Sequence, residues 1–186
     1  PIVANPQTIN KDGYPYMLIY DDAKIVNRAL ELIYASKFDS AKNLLEEVIA
    51  KIPDDYSHDY FSEGKHYIEF WDADELWTYC ELTKDSTIYA TQNAYSRALF
   101  WSAWTNFHTG EIQKAKEEIL AAQILEPDNP TILCEAAIIQ LNQKDSISTK
   151  IAFFLYHRAL NSREYITPLQ KARALRGLGL TSVEMG

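Results

Sequence analysis

The chain has 186 residues, enough for one domain that buries about 70% of the surface its unfolded form exposes. With 47% hydrophobic and 24% charged residues, its composition is that of a globular protein, and no apolar run approaches the ~18 residues of a membrane span. The net charge of −8 argues against a nucleic-acid partner, because neutralising phosphates requires a basic face.

The negative charge is concentrated in one stretch, residues 54–85. This stretch carries ten acidic residues against Lys65 and Lys84, so it accounts for the whole net charge, and the rest of the chain sums to zero. The same stretch contains eight aromatic residues. The sequence therefore divides into a neutral majority and one acidic, aromatic segment.

Two helices are predicted before this segment. Residues 22–36 show the apolar period of an amphipathic helix, and a turn follows in which Asp39 is predicted to cap a second helix. That second helix ends before Pro53, since proline cannot continue it. The apolar positions of the pair are Ile25, Ala29, Leu32, Ile33, Ala41, Leu45 and Val48.

The acidic segment has a different pattern. Residues 60–70 alternate around Glu63-Gly64, which predicts a short β-hairpin. Asp72 is predicted to cap a helix over 73–83, with Glu75 three residues later as in a capping box. A lone hairpin is marginally stable, so we expect most of the aromatic side chains to pack the insert onto the first two helix pairs.

Five helices are predicted after the acidic segment. One spans 88–109 and ends at Gly110, another spans 131–143, and the last covers 169–186. The two helices between them carry small or apolar residues on one face, at Ala115, Ile119, Ala122, Ala152, Tyr156 and Ala159. The chain is therefore predicted to be a series of antiparallel helix pairs.

Three motifs connect these helices to a known family. The pattern Leu175-x2-Leu178-Gly179 is similar to the first-helix signature W-x2-L-G-x2-Y, and Ala41-x3-Leu45…Pro53 and Ala115-x3-Ile119…Pro127 are similar to the second-helix signature A-x3-F…P. On these residues the chain resembles the tetratricopeptide repeat family. It departs from the family at Arg28-Ala29 and Ser102-Ala103, where Leu-Gly is usual.

The resemblance implies an all-α fold: a right-handed superhelix of about three and a half helix pairs, with an inserted β-hairpin and helix. The predicted divisions of this single domain are a first repeat (21–53), the acidic aromatic insert (54–94), a second repeat (95–129), a third repeat (130–165) and a half repeat or cap (166–186). The apolar Leu175, Leu178 and Val183 favour an unfinished repeat over a cap.

In this family the first helices line a concave groove that binds peptides, so the resemblance also implies a binding surface. Trp101 and Trp104 lie three residues apart, and we expect one to pack in the core and the other to face the groove. The chaperone-tail clamp of some family members is absent, since its set of basic residues is not matched. The predicted groove residues are Asn27, Arg97, Trp101, Trp104, His108, Arg173 and Arg176.

Sequence signatures of catalysis are missing: no Gly-rich phosphate loop, no G-x-S-x-G and no His-x-x-x-His. We therefore predict no enzymatic activity and no cofactor. The acids Glu63, Glu69, Asp72 and Asp74 are predicted to be a charged surface. Cys80 and Cys134 are predicted to be buried free thiols, with one disulfide between them as the alternative. The nearest approach to a metal-ligand set comprises Asp54, Asp55, His58, Asp59 and His66.

The leading hypothesis is a non-enzymatic protein–protein interaction module that binds a protein or peptide partner in the groove. One alternative is an assembly subunit that associates with itself through the unfinished last repeat, and a minor one is a metal-dependent site in the insert. We expect no nucleic-acid and no membrane partner, a monomer or weak homo-oligomer, and a cytoplasmic location, since residues 1–20 lack the layout of a signal peptide.

Overall fold

The structure is a computed structural model that describes residues 13–85 and 87–186. These residues form eight helices and a three-stranded sheet. The elements in chain order are α1 (Asp21–Tyr34), α2 (Phe38–Ile49), β1 (Asp59–Ser62), β2 (Lys65–Phe70), α3 (Ala73–Thr83), β3 (Tyr89–Gln92), α4 (Tyr95–His108), α5 (Ile112–Leu125), α6 (Pro130–Leu141), α7 (Ser146–Asn161) and α8 (Pro168–Met185).

Seven of these helices form the repeating part of the molecule. α1 packs on α2, α4 on α5, and α6 on α7, while α8 packs on α7. The first helices also touch one another, because α4 contacts α1 and α6, and α6 contacts α8. The predicted series of helix pairs is thus present, with the first helices forming a continuous layer.

The seams between paired helices are built from small residues. Ala41, Ala115, Ala122 and Ala152 are fully buried, so the backbones approach closely and larger neighbours fill the grooves. At the last seam the small residue is Gly177: a Cβ there would lie 2.3 Å from the ring of Tyr156. The alanine and glycine positions therefore fix how closely successive helices pack.

The insert contains the predicted hairpin and one strand that the sequence analysis missed. β1 and β2 pair antiparallel, and Glu63 (φ 51°) and Gly64 (φ 73°) both have the positive φ of a type I′ turn. β3 pairs parallel with β2, and Leu18 bridges to Thr91 on the other side of β3. The predicted helix start at residue 88 is therefore wrong, because 89–92 complete a sheet and α4 begins at Tyr95.

The two predicted aspartate caps have different outcomes. Asp72 accepts a hydrogen bond from the backbone N–H of Glu75 at 2.9 Å and caps α3 as expected. Asp39 does not cap α2: it lies inside the first turn, and the cap position is Lys37, which makes no side-chain cap bond. An acidic side chain in the first turn still favours the helix through its dipole.

Candidate functional site

The two predicted groove tryptophans lie on α4 beside His108. Both indoles are half-buried, and their ring centroids are 5.9 Å apart in an edge-to-face arrangement. His108 is exposed and stacks on Trp104, with 3.7 Å between the ring centroids. Both tryptophans also pack against the apolar cluster of α1 and α2. Each indole thus contacts both the core and solvent, whereas the sequence predicted one buried indole and one facing the groove. We call Trp101, Trp104 and His108 the α4 aromatic surface.

Asn27 and Arg97, also predicted for the groove, bind each other. The Arg97 guanidinium is buried and donates to Asn27 Oδ1 at 3.0 Å and to the carbonyl of Asn93 at 3.0 Å. The amide of Asn27 donates in turn to Gln92 at 2.8 Å. Burial lowers the pKa of Arg97 to about 10, despite nearby acids that oppose the shift. These two side chains tie α1 to α4 and leave little polar surface open to a partner.

The two arginines of α8 differ in their surroundings. Arg173 forms an ion pair with Glu135, which is buried on α6. Arg176 is exposed and lies on the same helical face as the exposed Leu180 and Val183. Arg176 is thus the more exposed of the two, while Arg173 is held by Glu135.

A buried charged centre that the sequence analysis did not identify lies around Glu126, in the loop between α5 and α6. Its Oε1 accepts from Trp71 Nε1 at 3.1 Å, from Asn93 Nδ2 at 2.7 Å and from the hydroxyl of Ser96. Its Oε2 accepts from Asn129 at 2.8 Å and from Arg163 at 2.7 Å. Five donors thus surround one fully buried carboxylate.

Arg163 connects this centre to the insert. Its second guanidinium nitrogen donates to Glu75 Oε1 at 2.8 Å, and Glu75 Oε2 accepts from the backbone N–H of Trp71 at 2.7 Å. Glu75 was expected to bond back to the cap of α3, but its carboxylate turns inward and is buried. We call Glu75, Arg163 and Glu126 the ionic junction.

The two acids of the ionic junction are in different electrostatic environments. Burial raises the pKa of Glu75 to about 7, because desolvation outweighs the attraction of Arg163. For Glu126 burial also acts to raise the pKa, but Arg163, His58 and the hydrogen-bond donors prevail and lower it. Glu126 is therefore the anion that holds the junction together.

The ionic junction shows where the insert sits. Ser96 lies in the first turn of α4, Asn129 caps α6, and Arg163 lies in the loop before α8, so these groups lie along the edge where the first helices start. Tyr165 in the same loop packs edge-to-face on Phe70 and Tyr79 of the insert. The insert is thus fastened along one edge of the helix array.

The aromatic residues of the insert are only partly used for this packing. Phe70 and Trp71 are buried, whereas Phe61 is 75% exposed and Trp77 is 46% exposed. The remaining four are half-buried, at Tyr56, Tyr60, Tyr67 and Tyr79. Packing thus accounts for part of the set and leaves several rings facing solvent.

A cavity of about 570 Å³ lies between the insert, the start of α1 and the start of α4. Glu69 lines it, and burial raises the pKa of this carboxyl to about 7, opposed by a hydrogen bond of 2.8 Å from the Tyr56 hydroxyl. The expectation that Glu69 is a surface acid is therefore wrong, while Glu63, Asp72 and Asp74 are exposed. Strand alternation places Glu69 on the face of β2 opposite to the buried Ile68 and Phe70, and this face lines the cavity.

The Asp/His group of the insert does not converge. His66 Nε2 lies 2.7 Å from Asp59 Oδ1, and burial lowers the pKa of His58. Within 13–85 and 87–186, no group of three or more His, Cys, Asp and Glu side chains could hold a metal ion. Cys80 and Cys134 are buried free thiols, as predicted.

Comparison with solved structures identifies the fold. The chain is similar to the Sgt2 TPR domain from Aspergillus fumigatus, with a TM-score of 0.58 and 12% identity over 91% of this chain and 82% of that one. The chain has a tetratricopeptide repeat fold. The predicted fold class is thereby confirmed, and at this identity the likeness shows the fold alone. No protein family and no curated protein matches the sequence.

Among the residues that the structure describes, no helix is both long enough and apolar enough to cross a lipid bilayer.

Proposed function

We propose that this tetratricopeptide-fold chain is a non-enzymatic protein–protein interaction module, and that its partner binds as a peptide segment against the first helices. The observation that carries the proposal is the α4 aromatic surface. Trp101 and Trp104 are anchored in the core yet half-open, and His108 extends them into solvent. Rigid aromatic side chains of this kind are the usual energetic centres of protein interfaces.

The neighbouring polar groups support the same role. The Asn27–Arg97 pair ties α1 to α4, the helix that carries the α4 aromatic surface, and the two tryptophans pack on the apolar cluster that α1 and α4 share. Arg173 is engaged with Glu135, whereas Arg176 is exposed on α8, as is Lys171 one turn earlier. In this proposal Trp101, Trp104 and His108 contact the partner, Arg176 can pair with an acid on it, and Asn27, Arg97 and Arg173 position the helices.

The test is a peptide selection followed by a matched pair of variants. Peptides that bind the intact chain are selected from a displayed library. Calorimetry then measures their affinity for the unmodified chain, for Trp104→Ala and for Trp77→Ala. Trp77 is an exposed tryptophan of the insert and controls for the loss of an indole. We expect Trp104→Ala to weaken binding by about 2 kcal/mol or more and Trp77→Ala to leave it unchanged. Equal effects of the two variants would rule out the α4 aromatic surface as the peptide-binding site.

A second candidate function is self-association through α8, and a specific observation favours it. Leu169, Leu180 and Val183 are exposed on one face of α8, at 73%, 52% and 81%. Leu178 is instead half-buried against the core of α6 and α7, so a charge there would disturb folding. The useful variant is Val183→Glu: an assembly subunit would show a concentration-dependent mass in light scattering that this change abolishes.

A further inference from the structure

The cavity between the insert and the starts of α1 and α4 has an unusual lining. The residues that the structure places around it include five aromatic rings and three carboxylates, and none of these described lining residues is basic. Its volume of about 570 Å³ is within the range of ligand-binding pockets. The rings and acids are Tyr20, Tyr56, Tyr60, Phe61, Tyr95, Asp22, Asp55 and Glu69.

Aromatic faces and carboxylates share a preference for cations. The face of a tyrosine or phenylalanine ring carries a negative quadrupole that attracts an ammonium or guanidinium group. Tyr20 is 54% exposed and Phe61 75% exposed, so neither ring is enclosed by the core. The insert also holds the whole net charge of the chain, which favours approach of a basic partner.

The three carboxylates are not equally available to a cation. Asp22 is already engaged, because Lys51 lies 3.0 Å from its Oδ1 and the Tyr95 hydroxyl donates to its Oδ2 at 3.3 Å. Glu69 uses only Oε2, which accepts from Tyr56 at 2.8 Å. Among the described residues no group donates to Glu69 Oε1. Asp55 is exposed and lies where the cavity opens to solvent.

Because Glu69 has one free carboxylate oxygen, it favours lysine over arginine as the bound side chain. A guanidinium binds a carboxylate best through two parallel hydrogen bonds to both oxygens, and at Glu69 the second oxygen is taken by Tyr56. A lysine ammonium is a compact point charge that a single oxygen and surrounding ring faces can satisfy. We infer that this cavity binds the side-chain ammonium of a lysine on a partner protein or peptide.

This inference adds a second contact to the proposed function and depends on that function only in taking a protein chain as the occupant. The cavity involves none of the residues of the α4 aromatic surface. A titration can therefore test it in the Trp104→Ala variant as well as in the unmodified chain, so the two proposals fail separately.

The experiment is an NMR titration of the full chain at about pH 8, above the raised pKa of Glu69, so that this carboxyl is ionised. Three capped tripeptides are compared that differ only at the centre: Gly-Lys-Gly, Gly-acetyl-Lys-Gly and Gly-Arg-Gly. We expect the lysine peptide to shift the backbone amide signals of Tyr20, Tyr56 and Glu69, and to bind at least about tenfold more tightly than the neutral acetyl-lysine peptide. The arginine peptide should bind more weakly than the lysine peptide. Equal shifts from the lysine and acetyl-lysine peptides, or tighter binding of arginine, would overturn the inference.

Matched variants locate the binding. Glu69→Gln keeps the shape of the side chain and an oxygen that accepts from Tyr56. It should lower the affinity for the lysine peptide by about tenfold. Tyr20→Leu should weaken it severalfold, whereas Tyr16→Leu removes a tyrosine of similar exposure (57%) outside the lining and should not. Asp54→Asn serves as a further control, since Asp54 is exposed and adjacent to the cavity residue Asp55 but does not line the cavity. Binding that survives Glu69→Gln and Tyr20→Leu unchanged would place the lysine elsewhere and reject the cavity.

Discussion

The helix pairs are joined through small apolar residues such as Ala41, Ala115 and Ala122, each fully buried. The insert is joined to the same helices through the ionic junction, in which one arginine lies between two buried carboxylates. The first kind of contact depends on shape and tolerates no added volume, while the second depends on charge balance and tolerates no missing partner. The two regions should therefore respond to different substitutions.

The largest effect is expected from Arg163→Met. The Arg163 side chain is 6% exposed, and its removal leaves Glu75 and Glu126 buried without their shared cation. Breaking a buried pair in this way costs about 3–5 kcal/mol of unfolding free energy, which a urea titration followed by circular dichroism would measure. Adding Glu75→Gln to this variant should restore part of the lost unfolding free energy, because it removes one of the two buried charges that have no partner.

Arg158→Met is the matched control for that experiment. Arg158 pairs with Asp128 at 3.2 Å, with the two side chains 44% and 55% exposed, so its loss should cost no more than about 1 kcal/mol. Similar costs for the Arg163 and Arg158 variants would mean that the ionic junction does not stabilise the insert.

Smaller effects on stability are expected in the helix pairs, where two glycine substitutions in α8 should act in opposite directions. Gly177→Ala places a methyl group against the buried ring of Tyr156 and should destabilise the chain by about 1–3 kcal/mol. Gly179→Ala, two residues later in α8, meets nothing within 4 Å and should stabilise it by about 0.5–1 kcal/mol through helix propensity. Thermal unfolding of both variants measures the difference; two stabilised variants would mean that the α7–α8 seam is not closely packed.

The next prediction concerns the pH dependence of the insert. A carboxyl whose pKa is higher in the folded state contributes stability that is fully present at low pH and is lost as the pH rises through the folded pKa. The pKa of Glu69 is raised from 4.5 to about 7, so its contribution is lost as the pH rises from about 4.5 to about 7. Glu69→Gln should make the fall in unfolding free energy across this range shallower by about 1–3 kcal/mol.

Other groups set the background of that measurement. The pKa of Glu75 is also raised to about 7 and contributes with the same sign, while burial lowers the pKa of His58, whose contribution has the opposite sign. Glu63→Gln, at the exposed hairpin turn, changes the net charge equally and serves as the control. If the two glutamine variants have the same pH profile, Glu69 does not carry the shift.

The same contrast explains what could be predicted from the sequence. The helix pairs follow from local patterns: apolar period, small residues at fixed spacing, and Pro127 or Gly110 at helix ends. The hairpin and the Asp72 cap follow from equally local signals. In each case the residues that determine the element are within a few positions of one another.

The ionic junction has no such local signal. Glu75 and Arg163 are 88 residues apart, and Glu126 precedes Pro127 in what looks like an ordinary solvated turn. The cavity is equally non-local, since it combines Tyr20 with Glu69 and Tyr95. Strand β3 was missed for the same reason: residues 89–92 become a strand only because β2 and Leu18 lie on either side. Long-range pairing of this kind cannot be inferred from one sequence.

The smallest predicted effect tests whether the insert and the helix pairs unfold together. Asp72→Ala and Asp145→Ala each remove a helix cap, one in the insert and one on α7, and each should cost about 1 kcal/mol. Because Trp71 and Glu75 at the start of α3 bind Glu126 and Arg163, the insert cannot open without breaking the ionic junction. Both variants should therefore lower hydrogen-exchange protection in the insert and in α6 alike. If Asp72→Ala lowers protection in the insert while α6 is unchanged, the insert opens independently, and the junction is a contact between two separate folding units.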